Sequence, residues 1–279
     1  MVKILHFLLI FGIFCFFSFT KSYADGKLPS YPLKEPMRYE WSFDGPFGIY
    51  DKSQLRRGFE VYRQVCATCH TLKYVTFRDL SALNYSDADI EDFAKNFQLQ
   101  DGPNEQGEYF SRAAKIDDYI PSAFANTQMA ALANNGVIPP DLSLMARARF
   151  VAPPFWRRVE DIVTGHTAYG ADYIASLLQG YQNDSQHKDL PEGQWENPYF
   201  IAGTSLSMAP PLVDGQIAYK DGTPGTVEQY AQDIAAFLSW SADPHMEKRK
   251  QTGFCVLLFL LTCLPLIYAL KKRIFARLS

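Results

Sequence analysis

The chain has 279 residues, of which 47% are apolar and 20% charged, and a formal net charge of −3. That composition is globular: too apolar for a disordered or fibrous chain, and too close to neutral for a basic nucleic-acid binder. The totals average over unlike parts, because two strongly apolar blocks sit at the two ends.

Residues 1–24 open with Lys3 and run apolar from Ile4 to Phe19, then close on Ser22-Tyr23-Ala24. A basic start, a short apolar core and small residues three and one before a cut read as a secretory signal peptide cleaved after Ala24. An uncleaved membrane helix is the rival reading, for which the core is short. The segment lacks the arginines of a mitochondrial presequence, so a bacterial export signal fits best. The mature part is then an exported, periplasmic domain over 25–246.

Within it, 51–65 predicts a helix with Leu55, Phe59 and Tyr62 on one face. Gly58 on that helix lets a second helix cross closely, and the amphipathic stretch 226–240, with Val227, Tyr230, Ile234, Phe237 and Leu238, is the natural partner.

Of the five cysteines, Cys15 leaves with the signal segment, and Cys255 and Cys263 lie in the C-terminal apolar run. The exported domain keeps Cys66 and Cys69, which excludes a disulfide scaffold. They stand in Cys66-Ala67-Thr68-Cys69-His70, the C-x-x-C-H pattern of covalent haem attachment. Two thiols one helical turn apart reach two vinyl groups on one porphyrin edge, and the adjacent His70 offers its imidazole to the iron from the same side. A thioredoxin-type pair wants a βαβ context that the sequence does not offer, and a zinc site wants two further ligands.

Haem iron in electron carriers takes a second axial ligand, Met or His. The candidates are His166, His187, His245, Met37, Met129, Met145 and Met208. Met145 sits at the start of a helical stretch and reads as core packing. Met208 sits in Ser207-Met208-Ala209-Pro210-Pro211-Leu212, where two prolines forbid a helix and stiffen an extended loop. A stiff Met loop before a last amphipathic helix is how small c-type cytochromes close the haem pocket, so Met208 is favoured. His/Met ligation makes the site a high-potential one-electron carrier with no open position for substrate.

Between His70 and Met208 lie 137 residues, so the domain carries long insertions. The stretch 87–118 holds nine acids against Lys95, Arg112 and Lys115. It reads equally as a solvated loop or as a docking face for a basic partner. Further on, Asp141 or Ser143 is placed to cap a helix running to Arg149. Arg147 and Arg149 are either surface residues or cations for a haem propionate.

The C-terminal run 253–270 has eighteen residues without a charge, spanning about 27 Å of helix, enough to cross the bilayer's hydrocarbon. Basic residues flank it on both sides. With the middle exported, this is a stop-transfer helix between a juxtamembrane segment, 247–252, and a cytoplasmic tail, 271–279.

Taken together, these residues resemble the cytochrome c1 family, the haem subunit of the quinol–cytochrome c oxidoreductase (bc1) complex. The resemblance runs through Trp41-Ser42-Phe43-Asp44-Gly45-Pro46-Phe47-Gly48, Gly58-Phe59, Val61-Tyr62 and the haem motif. It continues through Ala133-Asn134-Asn135-Gly136, Pro139-Pro140-Asp141-Leu142-Ser143-Leu144, Ala148-Arg149, Gly170-Ala171-Asp172-Tyr173-Ile174, Met208 and the anchor. It implies a mainly α fold: a class I c-type cytochrome-like haem domain with long insertions plus one C-terminal transmembrane helix. It implies one haem c held through Cys66 and Cys69, with His70 and Met208 on the iron. Pro140, Arg149 and Tyr173 map to pocket positions, Arg149 facing a propionate. In the family the Met is commonly followed directly by prolines, whereas here Ala209 intervenes; the stretches 150–167 and 181–200 fit the family pattern poorly. The implied function is to take an electron from the Rieske iron–sulfur protein and pass it to cytochrome c, beside a cytochrome b that holds the quinol sites, with no quinol chemistry of its own. A free-standing membrane-anchored cytochrome c shuttle is the alternative, but residues 240–252 offer no Gly/Ser tether. A haem enzyme such as a peroxidase needs an open iron position.

The net charge of −3 hides an asymmetry. Lys3 and Lys21 stand in the signal segment, and 247–279 hold seven basic residues against Glu247. Residues 25–246 therefore carry −11. An acidic domain on a basic membrane foot points to a basic redox partner.

Overall fold

The computed structural model describes residues 32–181 and 190–276. The expected signal segment and His187 lie outside the described residues.

The first helix, α1 (Lys52–Gln64), starts where Asp51 accepts hydrogen bonds from the Ser53 and Gln54 N–H groups, and it buries Leu55, Phe59, Val61 and Tyr62. A 3-10 turn, Cys66–Thr68, follows directly, then β1 (Leu72–Thr76) and a 3-10 helix, Phe77–Leu83. The acidic stretch is folded. Ser86 and Asp89 close a capping box at the start of α2 (Asp87–Lys95), and β2 (Gln98–Asp101) pairs antiparallel with β3 (Phe110–Ala113). Arg112 bonds both Asp101 and Asp118, and Arg78 bonds Asp117, so several of these acids neutralise local cations. β4 (Tyr119–Ile120) returns to pair with β1.

Next come α3 (Thr127–Ala133), the single turn α4 (Met145–Ala148), α5 (Phe155–Thr164) and α6 (Tyr169–Gln179). A minimal hairpin, β5 (Trp195–Glu196) with β6 (Ser205–Leu206), precedes α7 (Val227–Ala242), capped by Thr226. The last helix, α8 (Met246–Phe275), runs through the apolar segment and both of its basic flanks.

The core is the crossing of α1 and α7. A Cβ added to Gly58 would overlap the Asp233 carbonyl oxygen and stand 2.6 Å from Phe237 Cβ, so only glycine permits this approach. Around it Phe59, Tyr62, Phe237 and Trp240 pack ring against ring at centroid separations of 5.6 to 6.5 Å. Each large side chain so buried contributes about 1.5–3 kcal/mol. The fully buried Asp233 is neutralised by Arg57, whose Nε and Nη2 donate to its two oxygens at 3.0 and 3.2 Å. Gly170 gives α6 the same closeness to the Ala146 carbonyl of α4. The result is the mainly helical domain expected, with one long apolar C-terminal helix.

Only Asp243, Pro244 and His245 separate α7 from α8. The junction is braced. Asp243 accepts from Arg147 and, at 2.6 Å, from Arg249; Tyr50 N–H donates to Glu247 at 2.9 Å; Lys250 Nζ donates to the Phe43 carbonyl at 2.7 Å.

Candidate haem site

The Cys66–Thr68 turn leaves both cysteines half-buried, Cys66 packed against the core, with Cys69 and His70 N–H both donating to the Cys66 carbonyl, at 3.1 and 2.8 Å. Both are free thiols. Burial, aided by the neighbouring Cys69, pushes the Cys66 thiol up to about 12. That is the reverse of an activated thioredoxin-type thiolate, so nothing in the site favours the dithiol rival.

His70 is oriented by a residue far away in sequence. Its Nδ1 donates to the Pro140 carbonyl at 2.8 Å, which leaves Nε2 as the lone-pair nitrogen. Burial holds the imidazole below its ordinary 6.5, in the neutral form that ligates metal.

The Pro-Pro-Asp-Leu-Ser segment is fastened to the chain after the haem motif. Leu142 N–H donates to the Thr71 carbonyl, and Asp141 accepts from Thr71 Oγ1 at 2.5 Å and from Lys73 N–H at 2.9 Å. Tyr74 N–H donates to Ser143 Oγ, and the Ser143 carbonyl accepts from Ser241 on α7. Burial raises the Asp141 carboxyl, but these donors outweigh it and hold the group below the usual carboxylate range. The helix-capping role expected of Asp141 or Ser143 is therefore corrected. Leu144 occupies the cap position of α4 without a side-chain cap, because both polar groups are spent on the strand. The local sign was in the sequence: Asp-x-Ser makes an Asx turn, here Ser143 N–H to Asp141 Oδ1 at 3.0 Å.

The two arginines separate. Arg147 is used on Asp243, whereas Arg149 has no carboxylate partner among the described residues. Burial raises the pKa of the Tyr173 hydroxyl, while the Ile201 N–H and the charge of Arg149 act against it, so Arg149 and Tyr173 share a neighbourhood. Tyr181, not foreseen from sequence, joins them: burial and then Tyr173 raise its hydroxyl, and its Oη is buried with no hydrogen-bond partner among the described residues. One unpaired cation and one orphaned donor beside Tyr173 fit the carboxylates of a haem edge.

His166 is removed as an iron ligand. Its Nδ1 and Nε2 lie 2.6 and 2.7 Å from Asp44 and Asp172, which hold it protonated with a pKa of about 9. His245 and Met129 are exposed, and Met145 packs against the core. Met208 is half-buried in a non-helical loop between the buried Leu206 and Leu212. Among the described residues no three His, Cys, Asp or Glu gather to hold a metal unaided.

A helical domain with this donor set, standing on a long apolar helix, belongs to the class of anchored c-type haem domains. The family model of cytochrome C1 matches residues 41–278, and the chain belongs to that family. It is 43% identical over 240 residues to cytochrome c1 of Blastochloris viridis, covering 85% of both chains, and 42% identical over 253 residues to cytochrome c1 of Rhodospirillum rubrum, covering 85% of this chain and 86% of that one. It is also 43% identical over 246 residues to cytochrome b/c1 of Bradyrhizobium diazoefficiens. That match covers 87% of this chain but 36% of the longer protein. Family membership brings a c-type haem, and α8 is long and apolar enough to cross a membrane.

Proposed function

We propose that this chain is the haem-bearing electron-transfer subunit of a bc1 complex, taking one electron from the Rieske iron–sulfur protein and passing it to a cytochrome c. The observation that carries the reading is His70 Nδ1 on the Pro140 carbonyl, directly after the Cys66/Cys69 pair of the C-x-x-C-H motif. The group supplies a one-electron iron centre when bound. Cys66 and Cys69 would tether it by thioethers, and Pro140 keeps His70 in the tautomer that could ligate. Met208 would supply the second iron ligand, and Arg149 with Tyr181 would neutralise and anchor the propionates near Tyr173. Residues 1–24 export the chain, which leaves the domain in the periplasm of a bacterial inner membrane and the tail in the cytoplasm. Relatives named cytochrome c1 in two bacteria support the complex and the compartment.

The free-standing shuttle is disfavoured by the braced junction at Asp243, which gives the domain no arc to swing through. The test is mild detergent extraction followed by affinity purification of the haem protein. Co-purification of a two-haem b cytochrome and an iron–sulfur protein is expected; isolation of the haem protein alone supports the shuttle.

A further inference from the structure

The helix α5 is inside out for a water-soluble domain. Phe155, Trp156, Val159, Ile162 and Val163 are 80, 61, 49, 79 and 84% exposed. At about 100° per residue they fall within an arc of about 120°. The opposite side is charged and faces the protein. Asp161, buried, accepts from Arg38 Nη2 at 2.5 Å and from Tyr169 Oη at 2.7 Å, and Arg157 pairs with Glu35 at 2.6 Å. The orientation is thus fixed by ion pairs, and it leaves a contiguous apolar face that water does not favour.

Its position says what covers it. The helix ends at Gly165, whose φ of +78° suits glycine and where an added Cβ would stand 3.3 Å from Gly45 Cα. Thr167 N–H and Oγ1 donate to Asp44 at 2.6 and 2.9 Å, and His166 pairs with the same carboxylate. The turn so gripped is tied to α8: Lys250 Nζ bonds the Phe43 carbonyl, and the exposed ring of Phe47 packs edge-on against Phe254 at a 5.6 Å centroid distance. Phe254 is the second residue of the uncharged run. The last turn of α5, with Ile162 and Val163, therefore abuts the level at which α8 enters hydrocarbon.

We propose that α5 is an interfacial helix lying on the bilayer, its five apolar side chains buried among the lipid headgroups and upper acyl chains, continuous with Phe47 and Phe254. A helix with a charged face held by protein and an apolar face carrying Trp and Phe has the makeup of a monotopic membrane contact. The lipid contact fixes the tilt of the domain on its anchor, a second support beside the single helix α8. The proposal rests on α8 as anchor and is independent of the haem ligands.

The test uses the whole complex in phosphatidylcholine/phosphatidylglycerol vesicles, with Cys255→Ser and Cys263→Ser and one spin-labelled cysteine at a time: Val163→Cys, Leu257→Cys in the anchor, or Glu105→Cys on an exposed loop. Collisions with oxygen and with a water-soluble nickel chelate are measured by power saturation. Oxygen is expected to exceed nickel several-fold at 163, an oxygen-to-nickel ratio between those at 105 and 257. Nickel dominating at 163 means water, and neither agent reaching it means a neighbouring subunit or a second copy; either overturns the proposal while leaving the anchor intact. Nickel reaching 257 overturns the anchor and the proposal with it.

Discussion

The Nδ1 of His70 lies 2.8 Å from the carbonyl oxygen of Pro140. Because the acceptor is a backbone oxygen, it selects the Nδ1–H tautomer, which orients the ring and leaves Nε2 as the nitrogen for the proposed ligation. That carbonyl is in turn positioned by Asp141, which bonds Thr71, Lys73 and Ser143.

Asp141→Ala therefore strikes the proposed iron ligand indirectly. Loss of hydrogen bonds to a charged, half-buried acceptor costs about 2–3 kcal/mol. Denaturant unfolding of the solubilised holoprotein checks this. A shift of that size is expected, and an unchanged midpoint means the 139–143 segment is held by something else.

Gly58→Ala puts a methyl against the Asp233 carbonyl and Phe237. Neither can yield without parting α1 from α7, so the expected cost is about 3 kcal/mol, the upper range for overpacking. Holoprotein yield and unfolding midpoint read it out. An alanine variant as stable as the parent would show that the two helices are further apart than described.

His166 makes stability depend on pH. Its folded pKa of about 9 exceeds the ordinary 6.5, because Asp172 and Asp44 bond the protonated ring. Its contribution is full below pH 6.5 and is lost as pH rises from 6.5 through 9. After discounting for solvent the loss is on the order of 2 kcal/mol. His166→Gln should flatten the stability profile across that window. A slope that survives the substitution assigns it to another group.

Much of the site was legible because its signals are local. C-x-x-C-H names its own chemistry, and the 3.6-residue spacing at Leu55, Phe59 and Tyr62 gives α1 and its buried face. Even the tertiary contact at Gly58 could be read, since a lone glycine on an apolar helix face marks a close crossing. What could not be read depends on long-range pairing. The bonds of Asp141 join residues about 70 apart, and Arg147 differs from Arg149 only because Asp243 folds back onto it. The orphaned hydroxyl of Tyr181 has no sequence signal at all. The helix α5 escaped because Arg157 and Asp161 face inward while Phe155, Trp156, Val159, Ile162 and Val163 face out, which reverses the pattern that marks a surface helix.

The acidic stretch divides in the same way. Asp89, Asp101, Asp117 and Asp118 serve a cap or local arginines, which leaves Asp87, Glu91 and Asp92 exposed on α2. If this helix meets a basic cytochrome c, neutralising those three to Asn, Gln and Asn slows its reduction at low ionic strength and has little effect above about 0.1 M salt, where screening reaches ~10 Å. Stopped-flow reduction across a salt series measures this; an unchanged salt dependence leaves α2 as a merely solvated helix.

The central claim is a c-type haem ligated by His70 and Met208. It is tested most directly by the near-infrared charge-transfer band of the ferric full-length protein, recorded together with its midpoint potential for the parent and for Met208→Leu. The account predicts the band in the parent, its loss in the variant, and a potential lower by a few tenths of a volt, within the roughly 0.8 V span that axial ligation commands. A Met208→Leu protein that keeps both band and potential would contradict it.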